Sequence, residues 1–464
     1  MKGLLIISGL GILAMLAEIF KFKKLVFPLV LLGVLGAYVG NFMEWNNPLV
    51  ITVFDNMIAF DKVALAFSGV ILATAFFWFI MANDYFEENS NMIDHVSLVL
   101  FALVGALMLT SFKNMTTLFL GVEIMSIPLY VLAASKKKDI KSNEAGFKYL
   151  IMGSFASAFL LFGIALIYGA TGSFDLKVIS DVIASHAAGT MPTFFYAGVI
   201  MLLMAMCFKV SAAPFHFWAP DVYQGSPTVI TALMSTVVKT AAFAAILRLF
   251  LVGFGGVTEI WTTILVAIIA LSLVIANFSA AMQTNVKRML AYSSISHAAF
   301  MLMVVLANVR SNATLGALLY YSLAYSIGSI AAFGILYNVT KKGDESFEAF
   351  NGLGKRNPLM AACMVVAMLS LAGIPITAGF FAKYFVLINM IGTSYKWLII
   401  LAMLTSAVGV YYYFKVIIAM YFKPAIETEE VPVELSQKTV IILTTLITIA
   451  LGVVPGFVAE MFSF

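Results

Sequence analysis

Apolar runs long enough to cross a lipid bilayer follow one another along the whole chain. By the criterion of roughly 20 apolar residues for a spanning helix, about fourteen such runs can be counted. The hydrocarbon core offers the backbone no water, so runs of this kind form helices whose N–H and C=O groups pair internally. Only 11% of the residues are charged. The sequence therefore predicts an all-α polytopic membrane protein with about 14 transmembrane helices in a single membrane domain over residues 1–464.

The predicted helices are numbered from 1 to 14 in chain order, and the connections between them are short. The two longest connections are 171–192, which we interpret as a lateral or interfacial stretch, and 341–357. The helix ranges are 3–20, 25–42, 57–82, 95–112, 115–134, 144–170, 193–223, 227–250, 257–281, 286–307, 312–340, 359–391, 395–422 and 436–462.

Two of the predicted helices are broken at a proline, and a lysine lies beside each break. In helix 7, Lys209 precedes Pro214; in helix 12, Lys383 follows Pro375. Proline removes a backbone donor from a helix and clashes with the preceding turn. Such breaks are tolerated at membrane depth only where the irregular backbone is buried in protein or lines a wet cavity. Paired breaks therefore point to an ion or substrate path.

The two breaks occupy equivalent places in two runs of five helices. Helix 7 is the fourth of helices 4–8, residues 95–250, and helix 12 is the fourth of helices 9–13, residues 257–422. Because five is an odd number, the two runs have opposite orientations in the membrane. The pattern predicts two inverted five-helix repeats with broken helices 7 and 12.

Lysine and arginine are concentrated in the loops on one side of the predicted membrane domain. The positive-inside rule places that side in the cytoplasm, which puts both termini on the non-cytoplasmic side. The residues that carry this bias are Lys21, Lys23, Lys24, Lys136, Lys137, Lys138, Lys141, Lys287, Arg288, Lys341, Lys342, Lys355 and Arg356.

Four ionisable residues lie deep within the predicted helices. They are Glu123 in helix 5, Lys209 in helix 7, Lys239 at the centre of the unbroken helix 8, and Lys383 in helix 12. Each such residue costs about 2.5–3.5 kcal/mol on insertion scales, so the group needs a reason. Burial makes a lysine release its proton more readily, and a neighbouring carboxylate opposes this. We interpret Glu123 and Lys209 as a pair that switches proton affinity. Static buried ion pairs are the alternative interpretation.

Two further residues are candidates for the same path. Lys148 in helix 6 follows Glu144 by four residues, the favourable order for a helical ion pair, and can equally extend to the cytoplasmic surface. His297 in helix 10 is either a member of a proton relay or a histidine that satisfies helix packing. The two cysteines and four histidines show no metal-ligand spacing, so no metal site is predicted.

At these residues the chain resembles the antiporter-like, proton-translocating membrane subunits of respiratory complex I and of the Mrp-type cation/proton antiporters. The resemblance covers nearly the whole length, including family-wide segments at 285–294 and 370–375. It is closest to the subunit N branch of the family. The segments that indicate this branch are Gly121–Tyr130, Phe208–Trp218 and above all Ala219–Pro227, which reads Ala-Pro-Asp-Val-Tyr-Gln-Gly-Ser-Pro.

The resemblance implies a proton-translocating subunit of an NADH-quinone oxidoreductase, acting as a non-redox part of a translocase. It assigns Glu123 and Lys209 to a coupled pair and Lys148 to a neighbouring charge. Lys239 becomes the central relay and Lys383 the terminal site, with His297 between them.

The resemblance also implies cofactors and partners. The chain itself would bind none, whereas flavin, iron–sulfur clusters and quinone are expected in other subunits. The expected partners are neighbouring antiporter-like and small membrane subunits, the lipid bilayer and protons, without nucleic acid. The expected location is the bacterial cytoplasmic (inner) membrane.

Three other functions fit the sequence less well. A subunit of an Mrp-type Na⁺/H⁺ antiporter or a membrane hydrogenase is opposed by the segment Asp221–Pro227. A transporter for an organic solute would need a polar pocket, but alanine, phenylalanine and glycine flank the breaks. A structural anchor is disfavoured because it gives no reason for the buried charges.

Overall fold

The computed structural model describes residues 1–20, 23–45, 52–53, 57–87, 91–186, 190–308, 315–341, 343–425 and 430–456. The loop residues Lys21 and Lys342, used above for orientation, lie outside these ranges, as do the first residues of predicted helix 11 and the last of predicted helix 14.

The described ranges contain twenty α-helices, four short segments of other helical types and one two-stranded ladder. The α-helices are α1 (Lys2–Ile19), α2 (Lys23–Trp45), α3 (Lys62–Met81), α4 (Asn83–Glu87), α5 (Met92–Ser111), α6 (Met115–Ala133), α7 (Ile140–Thr171), α8 (Leu176–Ser185), α9 (Thr193–Lys209), α10 (Trp218–Gly225), α11 (Thr228–Leu233), α12 (Lys239–Leu247), α13 (Thr258–Ala281), α14 (Val286–Asn308), α15 (Leu315–Val339), α16 (Leu353–Arg356), α17 (Pro358–Ala372), α18 (Ala378–Ile391), α19 (Trp397–Phe422) and α20 (Leu435–Val453). The other segments are the π-helical Met234–Val238 and Arg248–Gly253, the 3₁₀-helical Gly255–Val257 and Phe347–Phe350, and the antiparallel strands β1 (Thr52–Val53) and β2 (Ile58–Ala59).

Twelve helical segments of the described ranges are long and apolar enough to cross a membrane. Three shorter apolar helices, α9, α17 and α18, fall within the two predicted broken helices. The prediction of an all-α polytopic membrane protein is confirmed. The count of fourteen and the inverted repeats stay predictions.

The predicted lateral stretch at 171–192 contains an amphipathic helix. Asp175 caps the start of α8 by accepting hydrogen bonds from the backbone N–H groups of Lys177 and Val178. Leu176, Ile179 and Ile183 form its buried face. The isoleucine and leucine side chains pack onto glycines at 253 and 256, where no side chain intervenes. With ten residues, this helix is too short to span a membrane.

The contacts within the chain define two compact units. The first unit comprises residues 1–76, 83–211 and 237–267, and the second comprises 77–82, 212–236 and 268–464. The first unit therefore contains Glu123, Lys148, Lys209 and Lys239. The second contains His297 and Lys383. The predicted repeat ranges are not tested by this division.

Glycines allow close helix packing in the first unit. A Cβ at Gly105 of α5 would stand 2.4 Å from the backbone nitrogen of Met125 in α6. A Cβ at Gly163 of α7 or at Gly198 of α9 would each stand 2.9 Å from the other glycine's carbonyl oxygen. In a bilayer, such small-residue contacts hold helices together by close packing. They fix the positions of α6, α7 and α9, which carry Glu123, Lys148 and Lys209 respectively.

The chain leaves the helical conformation at both predicted proline breaks. Helix α9 ends at Lys209 and α10 begins at Trp218, with Ser211 between them at φ 62°. The backbone N–H of Ala213 donates to the Ser272 hydroxyl at 2.8 Å, which satisfies one donor freed by the break. Helix α17 ends at Ala372 and α18 begins at Ala378. The lysines at 209 and 383 therefore lie next to irregular backbone, as the sequence indicated.

Candidate functional site

Lys209 is the last residue of α9, and its ammonium group points to α6. The side chain is only 4% exposed. Its Nζ donates to the Ser126 hydroxyl at 2.6 Å and stands 6.0 Å from the centre of the Tyr130 ring. Ser126 and Tyr130 are four residues apart and share one face of α6. The Ser126 hydroxyl donates in turn to the Val122 carbonyl. A neutral hydroxyl and a ring face are thus the immediate partners of this charge.

Glu123 lies one turn before Ser126 on the same helix. Its carboxylate accepts a short hydrogen bond from the Ser157 hydroxyl of α7. The ion pairs formed within 4.0 Å in the described part of the chain do not include one between Glu123 and Lys209. The two predicted partners therefore approach the same turn of α6, but Ser126 holds the ammonium group in place of the carboxylate.

Lys148 forms the helical ion pair that its spacing predicted. Its Nζ lies 2.6 Å from the Glu144 carboxylate, and the two side chains are 39% and 56% exposed. Pairs this exposed contribute little to stability in water. The structure places Lys148 on the outer surface of α7, and its role in translocation stays a prediction.

Lys239 is the first residue of α12, directly after the π-helical turn Met234–Val238. The side chain is 1% exposed, and α12 packs against α5 and α9 within the first unit. The prediction of an unbroken helix here is confirmed, because Thr228–Gly253 forms one continuous apolar helix of 26 residues. Within this helix, a second π-helical segment, Arg248–Gly253, follows α12. Wide turns of this type interrupt the regular hydrogen-bond ladder and occur often at functional sites. Neither of the two π-helical segments contains a proline that would indicate it in the sequence.

Lys383 belongs to α18 but bonds to the end of α17. Its Nζ donates to the Ala372 carbonyl at 2.7 Å and lies 3.5 Å from the Ser406 hydroxyl. The ammonium group also stands 5.3 Å from the centre of the Phe300 ring. Ala372 is the last helical residue of α17, where the terminal carbonyls carry the negative end of the helix dipole. The break itself therefore supplies the acceptor for the lysine.

His297 is held by two tyrosines through both of its ring nitrogens. Nδ1 lies 2.8 Å from the Tyr321 hydroxyl and Nε2 lies 3.2 Å from the Tyr413 hydroxyl. The ring of Tyr325 packs against the imidazole at a centroid distance of 4.8 Å. The sequence identified the histidine but none of the tyrosines, since nothing in an apolar run of aromatic residues marks which hydroxyl faces a neighbouring helix.

Lys287 and Arg288, which open predicted helix 10, bond to other parts of the second unit. Lys287 is 2% exposed and donates to the Ser226 carbonyl at 2.6 Å and to the Glu345 carboxylate at 2.9 Å. Arg288 donates to the Asp221 carboxylate at 2.8 Å. These bonds join the start of α14 to the α10–α11 connection.

Lys415, a shallower lysine of predicted helix 13, serves a different purpose. Its Nζ donates to the Gln283 carbonyl at 3.0 Å, just after α13 ends, and stands 4.5 Å from the centre of the Phe347 ring. A cation that binds carbonyls at the end of a helix stabilises that end. Among the described residues, no group of three or more His, Cys, Asp or Glu side chains could hold a metal ion.

Comparison with known proteins shows which protein family this chain matches. Residues 112–409 match the family described as "NADH:quinone oxidoreductase/Mrp antiporter, TM". The chain is 43% identical over 464 residues to the NADH-quinone oxidoreductase subunit N of Flavobacterium psychrophilum, covering 99% of this chain and 100% of the relative.

Two solved structures share the fold over nearly the whole chain. One chain of respiratory complex I from Thermus thermophilus with bound aureothin is 32% identical, with a TM-score of 0.81 and coverage of 99% of this chain and 98% of that one. One chain of the membrane-bound sulfane sulfur reductase, an archaeal respiratory membrane complex, is 27% identical, with a TM-score of 0.88 and coverage of 99% and 96%.

Proposed function

Since the chain belongs to the NADH:quinone oxidoreductase/Mrp antiporter family of membrane proteins, we propose that it is a proton-translocating membrane subunit, of the subunit N type, in an NADH-quinone oxidoreductase. One structural observation carries the proposal. Lys209 ends α9, Lys383 bonds to the end of α17, and Lys239 directly follows a π-helical turn within a continuous helix. Irregular backbone at these places provides the polar surroundings that a proton path needs.

The first step of the proposed mechanism is a switch at Lys209. The ammonium group moves between the Ser126 hydroxyl, which it contacts in the structure, and the Glu123 carboxylate one turn away. Beside the carboxylate it holds its proton more tightly, and beside the hydroxyl it releases the proton more readily. Lys148 is the neighbouring charge that biases this switch.

The later steps pass the proton from Lys239 by way of His297 to Lys383, which releases it on the non-cytoplasmic side. A buried lysine suits this task because burial disfavours its charged form. The bond from Lys383 to the Ala372 carbonyl supports a terminal role, since a carbonyl steadies the ammonium group without binding its proton permanently.

The proposed architecture has about 14 transmembrane helices, built around two inverted five-helix repeats at 95–250 and 257–422. Support comes from the interruptions between α9 and α10 and between α17 and α18, which fall in the fourth helix of each predicted run. The chain is placed in the bacterial cytoplasmic membrane with both termini on the non-cytoplasmic side.

The chain acts as a non-redox part of a larger translocase. Flavin, iron–sulfur clusters and quinone belong to other subunits of the complex, and the energy of quinone reduction reaches this chain through neighbouring membrane subunits. These partners are antiporter-like and small membrane subunits. The naming of the curated relative and of the complex I structure supports this assignment.

A second candidate function follows from the breadth of the family. Its description includes Mrp antiporters, and one similar structure is a respiratory complex named for sulfane sulfur reduction. The chain would then move protons in exchange for cations, or in a complex without NADH. Identity of 43% over the full length to a subunit N favours the first candidate.

Purification of the tagged chain from its native membrane in a mild detergent separates these candidates. Bound flavin, iron–sulfur absorbance and NADH:quinone activity in the same preparation are the expected result. Copurification with other antiporter-like subunits alone, without redox centres, would overturn the proposal and leave a cation/proton antiporter.

A further inference from the structure

We propose that Ser293, Tyr413, His297 and Tyr321 form a single hydrogen-bonded row that conducts protons toward Lys383. The row links Ser293 to Tyr413, Tyr413 to the imidazole Nε2, and Nδ1 to Tyr321. The inference rests on the proposed translocation function and adds two tyrosines and a serine to its path. All of these residues belong to the second unit.

The histidine forces the bonds of the row to point in one direction. A neutral imidazole has one N–H donor and one acceptor nitrogen. Because both nitrogens of His297 face a tyrosine hydroxyl, one tyrosine must accept a bond while the other donates one. The tautomer of the imidazole therefore sets the direction of every bond in the row.

When a proton crosses the row, the number of protons that the row holds stays the same. In the starting state Ser293 donates to Tyr413, Tyr413 donates to Nε2, and Nδ1–H donates to Tyr321. A proton arriving on the serine oxygen displaces the serine proton to Tyr413, whose own proton moves to Nε2. The Nδ1 proton then moves to Tyr321, and the original Tyr321 proton leaves. His297 ends in its other tautomer. Reorientation of the imidazole ring, which turns its N–H from Tyr413 toward Tyr321, then restores the polarity of the row together with rotation of the hydroxyls, and no proton is transferred in this step.

The Tyr321 end of the row and the Lys383 ammonium group lie against the same ring, that of Phe300 in α14. Ser293 lies one turn before His297, and Phe300 lies about one turn after it. The Tyr321 ring stacks on Phe300 at a centroid distance of 6.2 Å, and the Lys383 ammonium group stands 5.3 Å from the centre of the same ring. The row therefore runs from the N-terminal half of α14 toward the terminal lysine.

Two features distinguish this row from a hydrogen-bond network at the surface, namely the burial of its side chains and the number of helices that contribute them. All four side chains are buried, and they come from α14, α15 and α19. A purely structural network would stabilise the packing of these three helices, and loss of a hydroxyl would then lower stability. A conducting row predicts something more specific, namely slower proton transfer in a fully assembled complex.

The test compares Tyr413→Phe and Tyr321→Phe with Tyr320→Phe in the assembled complex in native membranes. Tyr320 is a matched control, because it is equally buried on the same helix as Tyr321 and its hydroxyl donates to the Leu451 carbonyl at 2.7 Å. NADH-driven ferricyanide reduction measures the amount of assembled complex. NADH:quinone turnover, acidification measured with a ΔpH-sensitive dye, and the solvent deuterium isotope effect report on proton transfer.

We expect Tyr413→Phe and Tyr321→Phe to lower turnover and acidification by at least about tenfold, as loss of a proton-transfer group does. The isotope effect should increase in both variants, and Tyr320→Phe should match the unmodified complex. If Tyr413→Phe fails to assemble, Tyr321→Phe on a different helix decides the question.

Two results would overturn the proposal that this row conducts protons. One is unchanged acidification in both test variants; the other is an equal loss in Tyr320→Phe, which would indicate packing. In either case a loss of acidification in Lys383→Ala would leave the translocation function standing. If Lys239→Ala and Lys383→Ala also acidify normally, the proposed function itself fails.

Discussion

A Cβ at Gly373 would stand 2.7 Å from the Cδ of Lys383, so the residue that ends α17 also makes room for the lysine. Gly373 has φ 85°, a conformation that residues with a side chain adopt at a cost. Its amide bonds back to the Leu369 and Ser370 carbonyls and closes the helix. One glycine thus sets both the shape of the break and the position of the charge.

Replacing Gly373 with alanine should lower proton translocation by about tenfold, because displacing a positioned group by a fraction of an ångström has effects of this size. Acidification by membranes containing the variant measures the effect. Gly172→Ala is the matched control, since Gly172 has φ 69° but nothing lies within 4 Å of the added Cβ. An equal loss in both variants would assign the effect to backbone strain, which costs about 1–3 kcal/mol.

Replacing Lys239 with alanine should lower quinone-coupled turnover by about 100-fold while assembly stays intact, because a relay without its titrating group transfers protons poorly. Turnover and ferricyanide reduction in the same membranes separate activity from assembly. Lys415→Ala is the control, since Lys415 caps the end of a helix. Unchanged turnover and pumping in Lys239→Ala would count against a relay role.

Replacing Ser126 with alanine should leave the Lys209 ammonium group without its present partner and shift it to Glu123. Turnover should fall by about three- to tenfold, consistent with a coupling of about 1 kcal/mol between the residues. The double variant Ser126→Ala/Glu123→Gln tests this, because its loss should differ from the product of the single losses. Multiplicative losses would mean that the residues act independently.

Replacing Lys287 with methionine should destabilise the subunit, since Glu345 and the Ser226 carbonyl would lose a buried charged partner. Loss of one member of a buried ion pair costs about 3–5 kcal/mol. The melting temperature of the purified complex reports the change. Lys177→Met, at an exposed lysine of α8, should leave it unaltered. A stable Lys287→Met complex would show that the α10–α11 connection is held by other contacts.

The parts of the site that depend on local backbone chemistry could be predicted from the sequence. Proline fixes φ and removes an N–H, so Pro214 and Pro375 marked the two breaks and the lysines beside them. The π-helical turn before Lys239 could not be predicted, because Met234–Val238 contains no residue that breaks a helix. Its cause lies in tertiary packing.

The contacts of the charged residues were harder to predict from the sequence than the positions of the helix breaks. The sequence placed Lys287 and Arg288 at the start of helix 10 and gave them a part only in the charge bias, yet both bond to segments distant in the chain. The hydroxyl partners of His297 depend on how α14, α15 and α19 pack together, and no local pattern specifies this packing. The direct contact of Lys209 with Ser126 likewise depends on how closely α9 approaches α6.

The peptide carbonyl that binds Lys383 has a consequence for ion selectivity. In the described part of the chain, no carboxylate lies within 4.0 Å of the Lys383 ammonium group. Such a site alternates between a charge of plus one and zero, whereas a lysine–glutamate pair alternates between zero and minus one. A centre that is never negative does not offset the free energy that a sodium ion needs to lose its hydration shell. If Lys383 is the terminal site of the proposed path, its charge therefore favours a proton over a metal cation.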